Sequence, residues 1–253
     1  MNKKTGTLSR RKFIAGAGAM SGILLTGCDT DIYTPPAIRS GLMGVSDVLT
    51  MASQRFLMSG QGLVKEYETS DITKDFPAWG RTNPEDENYQ RMASTGFTDW
   101  SLSVGGLVNR PSSFSLQDLK RLPPRTQTTM HICEQGWSAI AQWTGVPLTT
   151  LLEAAGGVKQ EARYVVIDTY DGWYDAYDMF DVVHPQTILA YGLNGKDVPK
   201  GNGAPIRLRV ERHCGYRNLK FLKSVQVVAS VEDIGLGKGG LLSDYNWHWY
   251  AGA

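Results

Sequence analysis

The most constraining feature of this sequence is a series of short β-type runs that begins near Trp100 and is punctuated by Gly, Pro and Asn. Residues 100–104 alternate apolar and polar side chains, which is typical of a half-buried strand. Asn194-Gly195 indicates a tight hairpin. The abundance of glycine, with 28 residues, indicates many turns. The pattern predicts one mainly β domain of the α+β class, with further strands over residues 126–133, 164–169, 206–210 and 219–228.

Two short helices are predicted among these strands. Ser115 can cap a helix that carries Asp118 three residues later, and a proline pair ends it. The second helix, over residues 147–155, starts at a proline and ends before two glycines. Residues 28–95 lack a regular hydrophobic pattern. This predicts an irregular linker after Cys28 that is followed by long ordered loops. Residues 96–253 are then the folded domain.

The first 27 residues form a distinct basic segment. They contain none of the 25 acidic residues, although the whole chain has a formal charge of only +1. The Arg10-Arg11 pair and the short apolar stretch after it resemble a twin-arginine export signal; the alternative is an ordinary secretory signal with two chance arginines. A Leu-Thr-Gly-Cys run resembles a bacterial lipobox and predicts lipidation of Cys28, the alternative being an unmodified cysteine.

This leader predicts a periplasmic or extracytoplasmic protein that is anchored to the membrane by lipid at Cys28. Twin-arginine export carries folded proteins, so it raises the expectation of a redox cofactor inserted before export. The near balance of 26 basic and 25 acidic residues gives no support for nucleic-acid binding. Apolar runs stay below the roughly 18 residues that indicate a membrane span.

The remaining cysteines, Cys133 and Cys214, have three interpretations. They could form a disulfide in an oxidising compartment, or both could be buried apolar thiols. Alternatively, Cys133 is a ligand, because a thiolate at a strand end beside a glycine can reach a bound group. His131 lies two residues away, but no second Cys/His pair has zinc spacing, and the other histidines are scattered.

Three blocks of sequence, in order, resemble the sulfite-oxidase-type molybdopterin-binding domain over about residues 98–230. The first opens with Cys133-Glu-Gln-Gly-Trp-Ser and continues into Trp143-Thr-Gly-Val-Pro-Leu. The second contains Gly201-Asn-Gly-Ala-Pro-Ile-Arg-Leu, and the third is Gly215-Tyr-Arg-Asn-Leu-Lys-Phe. The resemblance, strongest to the methionine sulfoxide reductase branch, implies that fold and a molybdenum–molybdopterin cofactor.

The resemblance also implies site residues. Cys133 matches the thiolate that ligates molybdenum and is the catalytic residue, since soft sulfur suits such a metal. Arg207 and Lys220 match cations for the cofactor's phosphate. The alternative is that Arg207 and Lys220 are solvated strand residues and that Asn202 is only part of a turn. The implied cofactor-binding set is Cys133, Thr169, Asn202, Arg207, Asn218, Leu219 and Lys220.

One departure from the family bears on the substrate. Sulfite oxidases and nitrate reductases of this fold carry an arginine-bearing run after the cysteine, whereas Ser138 stands at that place here. Without fixed cations an anion such as sulfite is disfavoured. A neutral sulfoxide such as methionine sulfoxide is predicted instead. The apolar wall of the substrate site would come from Trp137, Trp173 or Tyr174. The alternative is that these rings pack in the core. Arg55 is either near an oxyanion pocket or on the surface.

The resemblance implies a separate electron partner, because the sequence has no Cys-x-x-Cys-His haem attachment. In the related reductases this partner is a membrane-embedded haem b subunit. A homodimerisation domain is not expected, and the aromatic run 246–250 is expected to pack on the domain rather than form a docking strip. Two alternatives remain: a sulfite-type dehydrogenase of this fold, and a non-enzymatic β-rich lipoprotein binding module with a Cys133–Cys214 disulfide.

Overall fold

Two five-stranded sheets dominate the fold, as the turn-rich sequence predicts. The computed structural model describes residues 45, 49–53, 55–57 and 62–252. The leader, with Arg10-Arg11 and Cys28, lies outside the described residues. The strands are β1 Ser101–Gly106, β2 Ser112–Ser115, β3 Arg125–Ile132, β4 Ser138–Pro147, β5 Tyr164–Thr169, β6 Tyr174–Asp178, β7 Thr187–Leu193, β8 Lys196–Asp197, β9 Arg207–Val210 and β10 Leu222–Val228.

Short helices connect the strands. They are α1 Glu87–Ser94, α2 Leu116–Arg121, α3 Leu148–Ala154, α4 Met179–Val182 and α5 Leu241–Asp244. Single 3₁₀ turns lie at Thr69–Asp71, Lys200–Asn202 and Gly215–Arg217, and residues 49–53 and 55–57 are also helical. The predicted mainly β, α+β class is confirmed. Within the described residues, no helix combines the length and the apolar character needed to cross a bilayer.

The first sheet has the strand order β2-β1-β10-β5-β6. β1 and β10 run parallel, and the other neighbours are antiparallel. The second sheet has the order β3-β4-β7-β8, with β9 also paired to β7. Its long β3–β4 hairpin pairs Arg125 with Gly145 at one end and Ile132 with Ser138 at the other. This hairpin fixes where Cys133 lies.

The main core contains apolar side chains from both sheets. β5 and β10 contribute Val165, Ile167, Val225 and Val227, while Val146 and Leu189 come from the second sheet. A smaller cluster surrounds Trp143 on β4, which is fully buried. Large apolar burial of this kind supplies most of the stabilisation of such a domain.

Local sequence signals placed several elements correctly. β5 has the predicted bounds, and α2 begins with the predicted capping box, in which the Ser115 hydroxyl accepts from Asp118 N at 3.1 Å. The strand predicted from residue 219 begins only at Leu222. The side chain of Asn218 accepts from Val210 N at the end of β9 and donates to His213 O, and Phe221 has a positive φ of 56°, so residues 218–221 cannot form a regular strand.

Helix α1 lies in a stretch for which the sequence predicts loops. Its N-cap Asp86 accepts from Tyr89 N, and it buries Tyr89 and Met92. The aromatic C-terminal run packs on the domain, as expected. Tyr250 is 2% exposed, Trp249 Nε1 donates to Ala176 O at 3.0 Å, and Cys214 N donates to Ala251 O at 2.8 Å.

The pairing of β4 with β7 depends on the absence of a side chain at Gly145. A Cβ at this position would lie 2.2 Å from the carbonyl oxygen of Leu189 and 2.6 Å from Ala190 Cα, which are backbone atoms that cannot rotate away. Gly145→Ala is therefore expected to lower the free energy of unfolding by about 1–3 kcal/mol or more. Gly62→Ala, where a Cβ has no atom within 4 Å, is the control. Equal urea midpoints for both variants would contradict this account.

Candidate active site

The site is an open cavity of about 120 Å³ between loops that follow β3, β5 and β9. Residues 76–81, from the predicted loop region, complete its wall. The lining residues are Phe76, Pro77, Trp79, Gly80, Arg81, His131, Cys133, Glu134, Trp137, Asp171, Trp173, Gly201, Asn202, Arg207, Gly215, Tyr216, Asn218, Leu219 and Lys220. Six of the seven predicted cofactor residues are among them.

Cys133 is held in the tight loop between β3 and β4. Its backbone N–H donates to Trp137 O at 2.9 Å, and its carbonyl accepts from Gly136 N at 3.1 Å. Gly136 has a φ of 87°, a conformation that favours glycine. The thiol is 6% exposed, and burial, with Glu134 beside it, raises its pKa. A positive charge at the sulfur would favour the thiolate in this loop.

Cys133 and Cys214 are both free thiols. Cys214 is half-buried and approaches Gly252 O at 4.0 Å. The disulfide alternative from the sequence is therefore wrong for this structure. In the part of the chain that the structure describes, no group of three or more His, Cys, Asp or Glu side chains is placed to hold a metal ion.

Arg207 brings a buried cation to the cavity. Its Nη1 donates to Asn202 O and its Nη2 to Asn218 O, each at 3.0 Å, so it joins the two loops on which these asparagines lie. The Nε atom is buried without a partner among the described residues. The guanidinium lies 5.0 Å from the Trp143 ring centroid. Burial, together with neighbouring Arg209, lowers the pKa of Arg207 to about 9.

Lys220 ties the 76–81 loop to the cavity. Its ammonium group donates to the carbonyl oxygens of Trp79 at 2.8 Å, Gly201 at 3.3 Å and Arg81. Burial, with Arg207 nearby, lowers its pKa to about 8. Neither Arg207 nor Lys220 has a carboxylate within ion-pair distance in the described residues. Glu211 near Arg207 and Asp171 near Lys220 offset part of the charge, but without an ion pair the two cations still favour an anionic group in the cavity.

The other predicted residues contact the cavity in different ways. The Asn202 amide donates to Pro77 O at 3.1 Å and fixes the loop. The Asn218 side chain is used within its own turn, so its backbone carbonyl, which accepts from Arg207, faces the site. Leu219 is 3% exposed and packs in the core.

Thr169 does not line the cavity. Its hydroxyl lies 2.5 Å from Asp171 Oδ1 and shapes the turn that carries Asp171 and Trp173.

Several expectations about neighbouring residues require correction. Trp137 and Trp173 line the cavity, but Tyr174 does not, because its hydroxyl donates to Asp244. Ser138 begins β4, is exposed and does not line the cavity either. Arg55 is also outside the lining set, since its Nη2 lies 2.6 Å from Asp178 Oδ2.

Sequence reasoning missed the contribution of the 76–81 loop. Trp79, 56% exposed, stands at the rim, and Arg81 Nη1 donates to Asp171 O at 2.6 Å. The sequence feature that could have indicated this contribution is the presence of Trp79 and Arg81 within an otherwise polar loop. Tyr216 and His131 were also missed, because their position depends on how β3 and the 215–217 turn come together.

The fold and this cavity define a class of protein: an α+β domain in which one cysteine thiol and two buried cations line a single cavity. The chain belongs to the oxidoreductase molybdopterin binding domain family, whose model matches residues 90–233, more than half of the chain. The protein is therefore an oxidoreductase, and the alternative of a non-enzymatic binding module is excluded.

The relatives support this assignment. A protein from Azospira oryzae named putative protein-methionine-sulfoxide reductase subunit YedZ1 is 32% identical over 97% of this chain and 88% of its own length. The protein-methionine-sulfoxide reductase catalytic subunit MsrP of Xanthomonas axonopodis pv. citri is 30% identical over 150 residues, 53% of this chain and 46% of the relative.

A solved structure also matches the fold. The sulfane dehydrogenase SoxCD from Paracoccus pantotrophus aligns with a TM-score of 0.50 and 27% identity over 53% of this chain and 39% of the matched chain. This chain thus spans less than half the length of MsrP and of the SoxCD chain.

Proposed function

We propose that this protein is an extracytoplasmic molybdenum–molybdopterin oxidoreductase that reduces a neutral sulfoxide, such as methionine sulfoxide. The observation that carries the proposal is the convergence of Cys133, Arg207 and Lys220 on one cavity in a chain of this family. The names of two relatives, both methionine sulfoxide reductase subunits, support the substrate class.

The residues present fit the cofactor. Cys133 would ligate molybdenum, the buried Nε of Arg207 leaves a donor available for an anion, and Lys220 adds a second positive charge. Asn202, Asn218 and Leu219 would contact the cofactor along the loop surfaces, and Thr169 would act through the turn that carries Asp171. When bound, the cofactor supplies two-electron oxygen-atom transfer.

The chain's own groups account for substrate binding and proton supply. Reduction of a sulfoxide breaks the S–O bond, reduces the sulfur and releases the oxygen as water, which consumes two electrons and two protons. Trp137 and Trp173 offer apolar walls that exclude water. Glu134, next to Cys133, can carry a proton at Oε2, an oxygen that points towards Gly215 across the cavity.

The charges around Cys133 favour a neutral substrate over sulfite. Arg207 and Lys220 line the cavity, but their charge is assigned to the cofactor's phosphate in this proposal, and Arg81 Nη1 donates to Asp171 O. Glu134, which follows Cys133 in the chain, repels an anion when ionised. A sulfite anion would lose its hydration without gaining a fixed cation beside the metal position.

The electrons would come from a separate one-electron haem protein, and we propose a membrane-embedded haem b subunit as this partner. The proposal rests on the family's reductase branch and on the absence of a haem-attachment motif in the sequence. Twin-arginine export and lipidation at Cys28 would place the protein at the same membrane.

Cys133→Ser is the direct test of the metal assignment. The hydroxyl is a poorer soft-metal ligand, while the volume change is small, so the variant should fold and lose at least about 100-fold in turnover. Metal and pterin analysis of protein from a molybdenum-replete host should find one molybdenum per wild-type chain. Cys214→Ser, which changes a thiol outside the cavity, is the matched control and should stay active. A fully active Cys133→Ser protein with bound molybdenum would refute the ligand role.

A substrate comparison tests the charge argument. The wild-type enzyme should reduce methionine sulfoxide with a reduced dye far more efficiently than it oxidises sulfite. Glu134→Gln should raise kcat/KM for sulfite about fivefold, because one repulsive charge at short range is worth about 1 kcal/mol. The same change should lower sulfoxide reduction if Glu134 delivers a proton. Efficient sulfite oxidation by the wild-type enzyme would instead support the sulfite-type dehydrogenase.

The export proposal has its own test. Arg10→Lys combined with Arg11→Lys keeps the charge of the leader but removes the twin arginines, so the precursor should accumulate in the cytoplasm with cofactor already inserted. Cell fractionation followed by molybdenum analysis measures both properties. Undiminished export of the double variant would show that the leader is a general secretory signal.

A further inference from the structure

His131 is a buried histidine that lines the same cavity as Cys133. It precedes Cys133 by two residues, at the end of β3, and is 7% exposed. Its ring contacts two aromatic rings, with centroid distances of 5.8 Å to Phe76 and 5.6 Å to Trp137. These contacts restrict the rotation of the imidazole.

One ring nitrogen of His131 has an assigned role. Arg209 Nη1 lies 2.7 Å from His131 Nδ1. A guanidinium group can only donate hydrogen bonds, so Nδ1 must accept with its lone pair. The hydrogen of the neutral ring then resides on Nε2. This geometry selects one tautomer of the imidazole.

Arg209 is itself immobilised by a buried network. Its Nε and Nη2 atoms donate to the two carboxylate oxygens of Glu211 at 3.0 and 2.6 Å. Gln127 Nε2 also donates to Glu211 at 2.9 Å, and the guanidinium lies 4.8 Å from the Trp143 ring. Both charged side chains are at most 1% exposed. A bidentate pair of this kind fixes orientation as well as charge.

The second nitrogen of His131 faces the cavity. A Cβ on Gly215 would lie 3.0 Å from Nε2 and 3.0 Å from Glu134 Oε2, so both atoms face the space that this glycine leaves open. Among the described residues, Nε2 forms no hydrogen bond, whereas Nδ1 is used by Arg209. An N–H at the wall of a ligand cavity that has no hydrogen bond to the protein is free to donate to an acceptor on the ligand.

We propose that His131 Nε2–H is a fixed, uncharged hydrogen-bond donor to the sulfoxide oxygen of the substrate, with Arg209 and Glu211 as its positioning residues. The inference rests on the proposed function and names the group that recognises the S–O oxygen. An uncharged donor suits a neutral oxygen acceptor, because it can bind that oxygen without a buried counter-ion. His131 and Cys133 line the same cavity, so a sulfoxide bound there can contact the donor while it lies at the proposed metal site.

The first experiment compares variants of the holoenzyme. His131→Leu removes the donor, and His131→Gln restores an N–H near the position of Nε2. We expect His131→Leu to keep its molybdenum and pterin content and its thermal midpoint. Its kcat/KM for methionine sulfoxide should fall roughly 10- to 100-fold, the range for a lost hydrogen bond to a substrate. His131→Gln should recover most of this loss.

The matched control is His184→Gln. His184 is also buried, but it lies outside the cavity and accepts from Gln186 N. Full activity of His131→Leu with cofactor retained would overturn the proposal. Loss of molybdenum from both His131 variants would also overturn it, because the ring would then serve the cofactor or the fold. If His131→Leu does not fold, two other results test the proposal. These are the kcat/KM of His131→Gln relative to wild type and the NMR measurement of the His131 tautomer.

The second experiment observes the tautomer directly. In the oxidised holoenzyme labelled with ¹⁵N-histidine, His131 should show a protonated Nε2 and an unprotonated Nδ1. Dimethyl sulfoxide, added without reductant, should shift the Nε2–H resonance. The double variant Arg209→Met, Glu211→Leu removes the charge pair as a unit, and should give a mixture of tautomers and a raised KM. A protonated Nδ1 in wild type would refute the positioning role.

The two experiments separate this inference from the proposed function. If wild type contains molybdenum and the Nε2–H resonance responds to dimethyl sulfoxide, but no sulfoxide is reduced, the proposed activity is wrong and the donor assignment stands. If sulfoxide is reduced and neither the variants nor the resonance responds, the donor assignment is wrong and the activity stands.

Discussion

The site depends on a pair of buried arginines that share one aromatic ring. Arg207 and Arg209 alternate along β9, and both guanidinium groups lie within 5.0 Å of the Trp143 ring centroid. Arg209 is neutralised by Glu211, whereas Arg207 has only carbonyl partners and one unpartnered nitrogen. Since an uncompensated buried cation is costly, the fold keeps a place for an anion that the protein itself does not supply. Binding of such an anion would stabilise the folded state.

The same pair of arginines connects the loops of Asn202 and Asn218 to the ring of His131. Arg207 holds the loops of Asn202 and Asn218, and Arg209 holds the ring of His131. Loops supply nearly all the lining residues, but each loop is fixed by a strand end or by a buried bond. This explains how irregular segments can form a rigid site, as in many enzymes in which a scaffold positions functional loops.

Local sequence signals predicted the elements whose cause is local. The capping box of α2 lies within four residues, and the β-branched run of β5 has the predicted bounds. β4 was not predicted as a strand, although its residues alternate, because two of its inward side chains are the small Ala139 and Ala141. The 76–81 wall could not be predicted either. Its bonds to Lys220 span about 140 positions of the chain, and no local pattern encodes such contacts.

The resemblance to a family identified positions that the structure brings together, but it did not identify the atoms that face the site. Asn218 presents its backbone rather than its amide, and Lys220 uses its ammonium group to hold the 76–81 loop. Both differences have one physical cause: polar groups that are buried must be satisfied, and nearby carbonyls and amides satisfy them first. A buried donor without a protein partner whose residue also lines the cavity, such as Arg207 Nε, is therefore a more specific indicator of where a ligand binds.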